Sequence, residues 1–463
     1  MSIRMSFFWC LGALCLTVSS LWAAEPPQIL VGVAKVDITP DYPVRLSGYS
    51  SRRHESEGVA QRIWAKALAI GDQQHGGSAV LITVETCGVP ASMADEVYRR
   101  LRSEKLRREQ LVVSSSHSHT APWLPGFAPF LTGDPVPAEH QKHMQQYRKE
   151  LTDKMVQAAC EALQSQQPAR LSWAQGRVTL AANRRVLKDG IWTGFGVQPD
   201  GPVDERLPVL VASRADGKPL AILANYACHC TTLGGDFNQI CGDWAGFAQE
   251  NIEQDFPGAV ALITIGCGAD ANPEPRGKLE FCRDHGRALA DEVKRLLGAE
   301  LKPVAAAPEC RLTHLDLPLA SLPSRGDWEK AAAGGGPNGA RARHFLASLD
   351  RGEALPTTIH YPVATWTFGD DLAMVFLAGE VVVDYAIRLS RECSPDRVWV
   401  TAYANDMPGY IPSRRILREG GYEADSSMIY YGQPTRFAPE VEDMIVTQIR
   451  KMLPPGYGSE PQK

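Results

Sequence analysis

The sequence predicts an α/β fold: one large domain with mixed β-sheets flanked by helices. Three observations carry that expectation. Apolar runs of strand length alternate with longer amphipathic stretches. Two pairs of apolar runs are joined by turn-forming segments, Asp216-Gly217 and Gly369-Asp370-Asp371, which places antiparallel hairpins inside the alternating pattern. No internal repeat is found, which excludes solenoids and propellers.

In order, Leu30 to Ile38 opens with period-two alternation, and Ser78 to Val84 is a continuous apolar run that fits a strand covered on both faces. Met93 to Arg107 is amphipathic and helical, Leu111 to Ser116 returns as a strand, and Glu139 to Gln164 fits a long polar helix. Leu207–Ser213 and Leu220–Tyr226 form the first hairpin, followed by a helix over Trp244–Gln254, a strand over Val260–Ile265 and a helix over Phe281–Leu297. The Ala- and Gly-rich stretch from Ala331 to Arg343 reads as a surface loop. Val363–Phe368 and Leu372–Leu377 form the second hairpin. A short helix over Val381–Arg391, a strand over Arg397–Ala404 and a closing helix over Pro439–Met452 complete the chain.

The 463 residues are 44% hydrophobic and 22% charged, an ordinary globular balance that excludes disordered and collagenous classes. With 48 basic against 53 acidic groups and a net charge of -5, nothing attracts nucleic acid electrostatically. Residues 1–24 carry Arg4, an apolar centre from Phe7 to Leu16 and small residues at Ala23-Ala24 before Glu25-Pro26-Pro27. That is a secretory signal pattern; the uncharged stretch is at the lower limit for a membrane anchor. The expected mature chain, 25–463, is exported to the periplasm or the extracellular space and holds no integral membrane segment.

Nine cysteines lie outside the leader: Cys87, Cys160, Cys228, Cys230, Cys241, Cys267, Cys282, Cys310 and Cys393. Their scattered spacing fits no disulfide framework and leaves any pairing open. Cys228 and Cys230 flank His229 and are expected to pack in the core rather than to ligate. Gly266-Cys267-Gly268-Ala269-Asp270-Ala271 satisfies a dinucleotide glycine pattern formally, but Asn272-Pro273-Glu274-Pro275 follows where a helix is required. No Walker lysine motif, nucleophile elbow or His-Glu-x-x-His helix is present.

The strongest local signal is Ser114-Ser115-Ser116-His117-Ser118-His119-Thr120-Ala121-Pro122, two histidines at the end of an apolar strand. Strand ends are where binding crevices form in α/β folds. His229 ends a second apolar run, and Glu380 follows a third, Met374 to Ala378. A carboxylate buried at such an end needs a cationic partner. Catalytic zinc takes three protein ligands of these types.

These residues, in this order, resemble the neutral (non-lysosomal) ceramidases, zinc-dependent amidohydrolases. The resemblance runs through Val31-Gly32-Val33-Ala34-Lys35-Val36-Asp37-Ile38-Thr39-Pro40, Leu46-Ser47-Gly48-Tyr49, His117-Ser118-His119-Thr120-Ala121-Pro122 and Asn183-Arg184-Arg185. It continues through Asn225-Tyr226-Ala227-Cys228-His229, the glycine-rich segment ending at Asn272-Pro273, and Gly379-Glu380. It implies that His117, His229 and Glu380 bind one Zn2+ per chain, that Tyr410 completes the site, and that Tyr422, 12 positions later, assists catalysis. It further implies that His119 is the general acid/base and that Arg184 polarises the substrate carbonyl. Asn272 stands where some members carry a serine. Family members also carry a C-terminal β-sandwich, which this chain, reaching Lys463 soon after its closing helix, is expected to lack.

The implied activity is hydrolysis of an N-acyl amide in a small amphipathic substrate, foremost ceramide to sphingosine and fatty acid. Another N-acylated lipid, amino acid or amino sugar fits the same machinery. A non-catalytic exported binding protein on the same scaffold is the reading from a different class.

Overall fold

Period-two alternation in the apolar strands sorts their side chains into two cores. In a computed structural model that describes residues 28–71 and 76–458, Leu81, Val112, Leu223, Met374 and Phe376 fall in one buried cluster. Their neighbours Ile82, Val113, Ala224, Val375 and Leu377 fall in another. The first cluster joins two sheets face to face, and the second lines their outer faces beneath the helices. The result is four layers, helix–sheet–sheet–helix. Each fully buried Val, Leu or Phe in these layers contributes about 1.5–3 kcal/mol relative to exposure.

The larger sheet has nine strands. Across it run Val260–Ile265, Pro219–Tyr226, Arg206–Ser213, Gln167–Arg177, Ile29–Asp37, Trp64–Ile70, Ala79–Val84 and Leu111–Ser115, with Lys302–Val304 paired to Gln167–Arg177. Only the two outermost pairs are parallel. The second sheet orders Glu309–Pro318, Thr358–Phe368, Leu372–Leu377 and Val398–Thr401. Both hairpins read from the sequence are present. The α/β class with mixed sheets and flanking helices is what the structure shows.

The chain leaving Val398–Thr401 fastens the two edges of the large sheet. Ala402 N–H donates to Ile265 (2.8 Å), Ser115 N–H to the Tyr403 carbonyl (3.1 Å), and Asn405 N–H to Val113 (2.7 Å). The carboxyl ends of Leu111–Ser115, Pro219–Tyr226 and Leu372–Leu377 are thereby drawn together. This is the crevice that strand order creates in open α/β sheets.

One expected segment is corrected. Residues 331–343 are not a surface loop: helices Arg325–Ala332 and Gly336–Asp350 run through them, with only 333–335 between. Alanine is the best helix former, Ser324 and Asp327 make a reciprocal capping box, and Pro337 sits in the first turn of the second helix. Trp328 and Phe345 pack with their ring centroids 5.0 Å apart, which fastens the pair.

The expected signal segment, 1–24, lies outside the described residues. Among those described, no helix is long and apolar enough to cross a membrane. The nine cysteines are free thiols, and Cys228 and Cys230 are buried, as read. Gly266 to Asp270 turns into the short strand Ala271–Pro273 instead of a helix, so the glycine pattern forms no dinucleotide turn.

Candidate metal centre and active site

Each ligand candidate sits just beyond a strand end and is oriented by a backbone carbonyl or a loop. After Leu111–Ser115 the backbone turns sharply, with His117 at φ 56°. His117 Nδ1 lies 2.6 Å from the Cys87 carbonyl oxygen, and His229 Nδ1 lies 2.8 Å from that of Gly268. A ring nitrogen that donates to a carbonyl leaves the other one, Nε2, for a cation. The indole of Trp244 donates to the His229 carbonyl (2.8 Å) and fixes that turn. Glu380 follows Gly379, whose φ of 73° and close approach to the Gly409 carbonyl (2.5 Å from any added Cβ) allow no side chain. Glu380 then pairs in parallel with Tyr410.

The three groups converge. Nε2 of His117 and Nε2 of His229 each lie 3.0 Å from the same oxygen, Glu380 Oε2. The Tyr410 hydroxyl is 3.3 Å from His229 Nε2. Two imidazole nitrogens and one carboxylate oxygen aimed at a common point form a borderline-soft donor set that suits zinc. Cys87, His117 and His119 form an overlapping group. There the Cys87 thiol lies 3.8 Å from His117 Nδ1, a nitrogen already engaged by the Cys87 carbonyl.

His119 is two residues on, with Nε2 3.0 Å from His117 Nε2 and Nδ1 unpartnered. Its ring packs against Gly48 so closely that an added Cβ would lie 2.4 Å from its Cγ, which accounts for the glycine in Leu46-Ser47-Gly48-Tyr49. Tyr49 meets the same ring edge-on at 5.1 Å. The buried Arg52 guanidinium donates to the His119 and Ser47 carbonyls and holds both strands of this corner.

Arg184 joins the metal candidates to the other predicted residues. It donates to the Tyr410 hydroxyl (3.0 Å), to Glu423 Oε1 (2.9 Å) and to Asn272 Oδ1 (3.4 Å). Asn272 Oδ1 also accepts from Thr231 (3.1 Å), so in this arrangement the amide oxygen orients Arg184. Tyr422 stands edge-on to Tyr410 at 5.2 Å, with the Arg184 guanidinium 5.8 Å above its ring. All eight predicted residues, His117, His119, Arg184, His229, Asn272, Glu380, Tyr410 and Tyr422, are thus joined by direct contacts.

Burial disfavours a charged His117, but Glu380 and Cys87 together outweigh it and raise the imidazole to about 10. Burial also works against Glu380 as an anion, yet His117 and His229 hold it well below the usual carboxylate range. His119 and His229 go the other way. Burial and the neighbouring positive charge push both down, His229 to about 3. His119 is therefore neutral in this arrangement, with its Nδ1 free of any protein partner.

Several participants escaped sequence reading. The Tyr431 hydroxyl donates to Glu380 Oε1. Glu423, fully buried, bridges Arg184 and Arg185. Tyr403 stacks on His117 with centroids 4.5 Å apart. None carries a periodic or motif signal.

A histidine pair and a carboxylate gathered at strand ends give this α/β protein a group of side chains that could hold a metal ion. The family model for neutral/alkaline non-lysosomal ceramidases, N-terminal region, matches residues 29–264, and the chain belongs to that family. Neutral ceramidase A of Dictyostelium discoideum is 25% identical over 271 residues, 55% of this chain and 37% of its own. Neutral ceramidase of Pseudomonas aeruginosa is 22% identical over 249 residues, 53% of this chain and 36% of its own. The matched region is thus under two fifths of the length of these curated relatives. The crystal structure of the Pseudomonas aeruginosa neutral ceramidase superposes with a TM-score of 0.71 at 17% identity, covering 95% of this chain and 77% of that one. A structure described as ceramidase complexed with C2 gives 0.70 at 16%, covering 95% and 78%. At these identities the likeness establishes the fold.

Proposed function

We propose that the chain is an exported, zinc-dependent amidohydrolase that cleaves an N-acyl amide, with ceramide as the foremost substrate. One observation carries the reading: two histidine Nε2 atoms, each 3.0 Å from a single Glu380 oxygen, stand beside an arginine–tyrosine pair. His117, His229, Glu380 and Tyr410 would hold the ion. Zinc bound there supplies Lewis acidity and lowers the pKa of a water toward roughly 7.

The rest falls to the chain. His119 takes a proton from the water as its oxygen attacks the amide carbon, then returns it to the leaving amine, so the proton count closes. Arg184 and Tyr422 donate to the oxyanion that develops on the carbonyl; one such donor is typically worth about 2.7–4 kcal/mol. Asn272 and Glu423 keep the guanidinium in place. Burial works against the charge on Arg184, but Tyr410 and Glu423 together outweigh it and keep the guanidinium charged.

The test uses the purified chain. Stoichiometric zinc is expected, with fatty-acid release from ceramide that a chelator abolishes and zinc restores. Release only from N-acyl amino acids or N-acetylated sugars would keep the chemistry and replace the substrate. Absence of both zinc and release from every amide would leave the non-catalytic binding protein.

A further inference from the structure

We infer that Tyr431 is a positioning residue for the metal centre, holding one oxygen of Glu380 so that only the other faces the histidines. The inference rests on the metal-centre reading above. The two carboxylate oxygens are already divided: Oε1 accepts from the Tyr431 hydroxyl, while Oε2 is the atom 3.0 Å from His117 and His229. A carboxylate free at both oxygens swings between one-atom and two-atom coordination. A donor on Oε1 removes that freedom and satisfies a buried acceptor.

The hydroxyl is delivered by a braced element. Phe127 meets the Tyr431 ring edge-on at 5.8 Å. The preceding carbonyl, that of Tyr430, accepts from Phe130 N–H (3.2 Å), and Gln433 donates to the Pro408 carbonyl (2.9 Å) just before Tyr410. The strap carrying Tyr431 is therefore tied to the segment that follows His119 and to the loop that presents Tyr410. Arg184 performs the matching task for Tyr410, and the Cys87 and Gly268 carbonyls do so for the histidines. With Tyr431, every candidate ligand has its own partner outside the ligand set.

The test is Tyr431→Phe in the full chain, which keeps the ring contact and removes only the hydroxyl. Zinc affinity by chelator competition should fall about 10–100-fold. The metal-free protein should melt somewhat below the parent, because the buried Oε1 loses its donor, and the visible spectrum of the cobalt(II)-loaded form should shift as Glu380 changes its mode of coordination. Unchanged zinc affinity with an unchanged cobalt spectrum overturns the inference and leaves the metal centre standing. A parent that binds no zinc overturns both. Should the phenylalanine variant fail to fold, Phe127→Leu loosens the same ring while keeping its hydroxyl; weaker zinc binding is expected, and parental affinity overturns the inference.

Discussion

Two buried polar clusters lie back to back in this protein, joined through Arg184. On one side, His117, His229 and Glu380 point at a common position. On the other, Glu423 joins Arg184 to Arg185, and Arg185 reaches Glu419, at 3.0 Å. Glu419 is gripped by Arg415 (2.9 Å), which also pairs with Asp384 (2.7 Å). In this ladder guanidinium and carboxylate alternate, and each charge is answered by a neighbour. In the histidine cluster, one carboxylate oxygen is shared between two imidazoles that are themselves steered from behind. The difference separates a cluster whose charges are already answered from one that, on the proposed function, receives a cation.

The largest expected effect lies in the receiving cluster. His117→Ala should lose zinc and, with it, measurable turnover. His119→Ala should keep zinc and lose turnover by about 10²–10⁴-fold, the usual contribution of a general acid/base. Metal analysis with kinetics on both variants checks this, and loss of zinc in His119→Ala would move that residue among the ligands. The complete cluster should answer in stability instead. Glu423→Ala takes the paired carboxylate from buried Arg184 and leaves Arg185 with Glu419 alone, and should cost about 3–5 kcal/mol in urea unfolding, a penalty that zinc does not repair.

A third site sharpens the rule between the two. Glu85 is fully buried; one oxygen accepts from Trp64 N–H (2.6 Å) and the other has no partner. Burial raises its carboxyl from 4.5 to about 8, so the folded chain keeps a proton that the unfolded chain releases. That contribution is present in full below about pH 4.5 and is lost as pH climbs through about 8. The stability of the parent relative to Glu85→Gln should therefore fall by about 1.4 kcal/mol per pH unit across that window. A flat difference would mean that Glu85 ionises without resistance. The smallest effect belongs to Thr231→Val, which removes one hydrogen bond to Asn272 and should cost about 1 kcal/mol with little change in zinc content.

The legible parts of the molecule were those with a period. Apolar runs of strand length located the strand ends, and with them His117, His229 and Glu380. The resemblance placed Arg184, Tyr410 and Tyr422, which arrive from loops. The strand Glu309–Pro318 escaped because it is an edge strand in which exposed Glu309, Arg311, His314 and Asp316 interrupt the half-buried residues. The strand Gln167–Arg177 did carry a signal, since Ala169, Leu171 and Trp173 alternate and are buried. The helices around 325–350 were hidden by glycines that turned out to sit at their ends. Tyr431 and Glu423 had no such cue, because their roles exist only once distant loops meet.

The backbone of His117 has a consequence of its own. It stands in the left-handed region, as do Asp243, Tyr403 and Asn405, all on segments that wrap the site. For residues with a Cβ this conformation disfavours the fold by roughly 1–2 kcal/mol each. Glycine would relieve that strain most cheaply at the exposed Lys105 and Asp189, which share the conformation, whereas at His117 it would also empty a buried ring position. Selection for thermal resistance alone would therefore act on such exposed turns first and leave the strain at His117 in place.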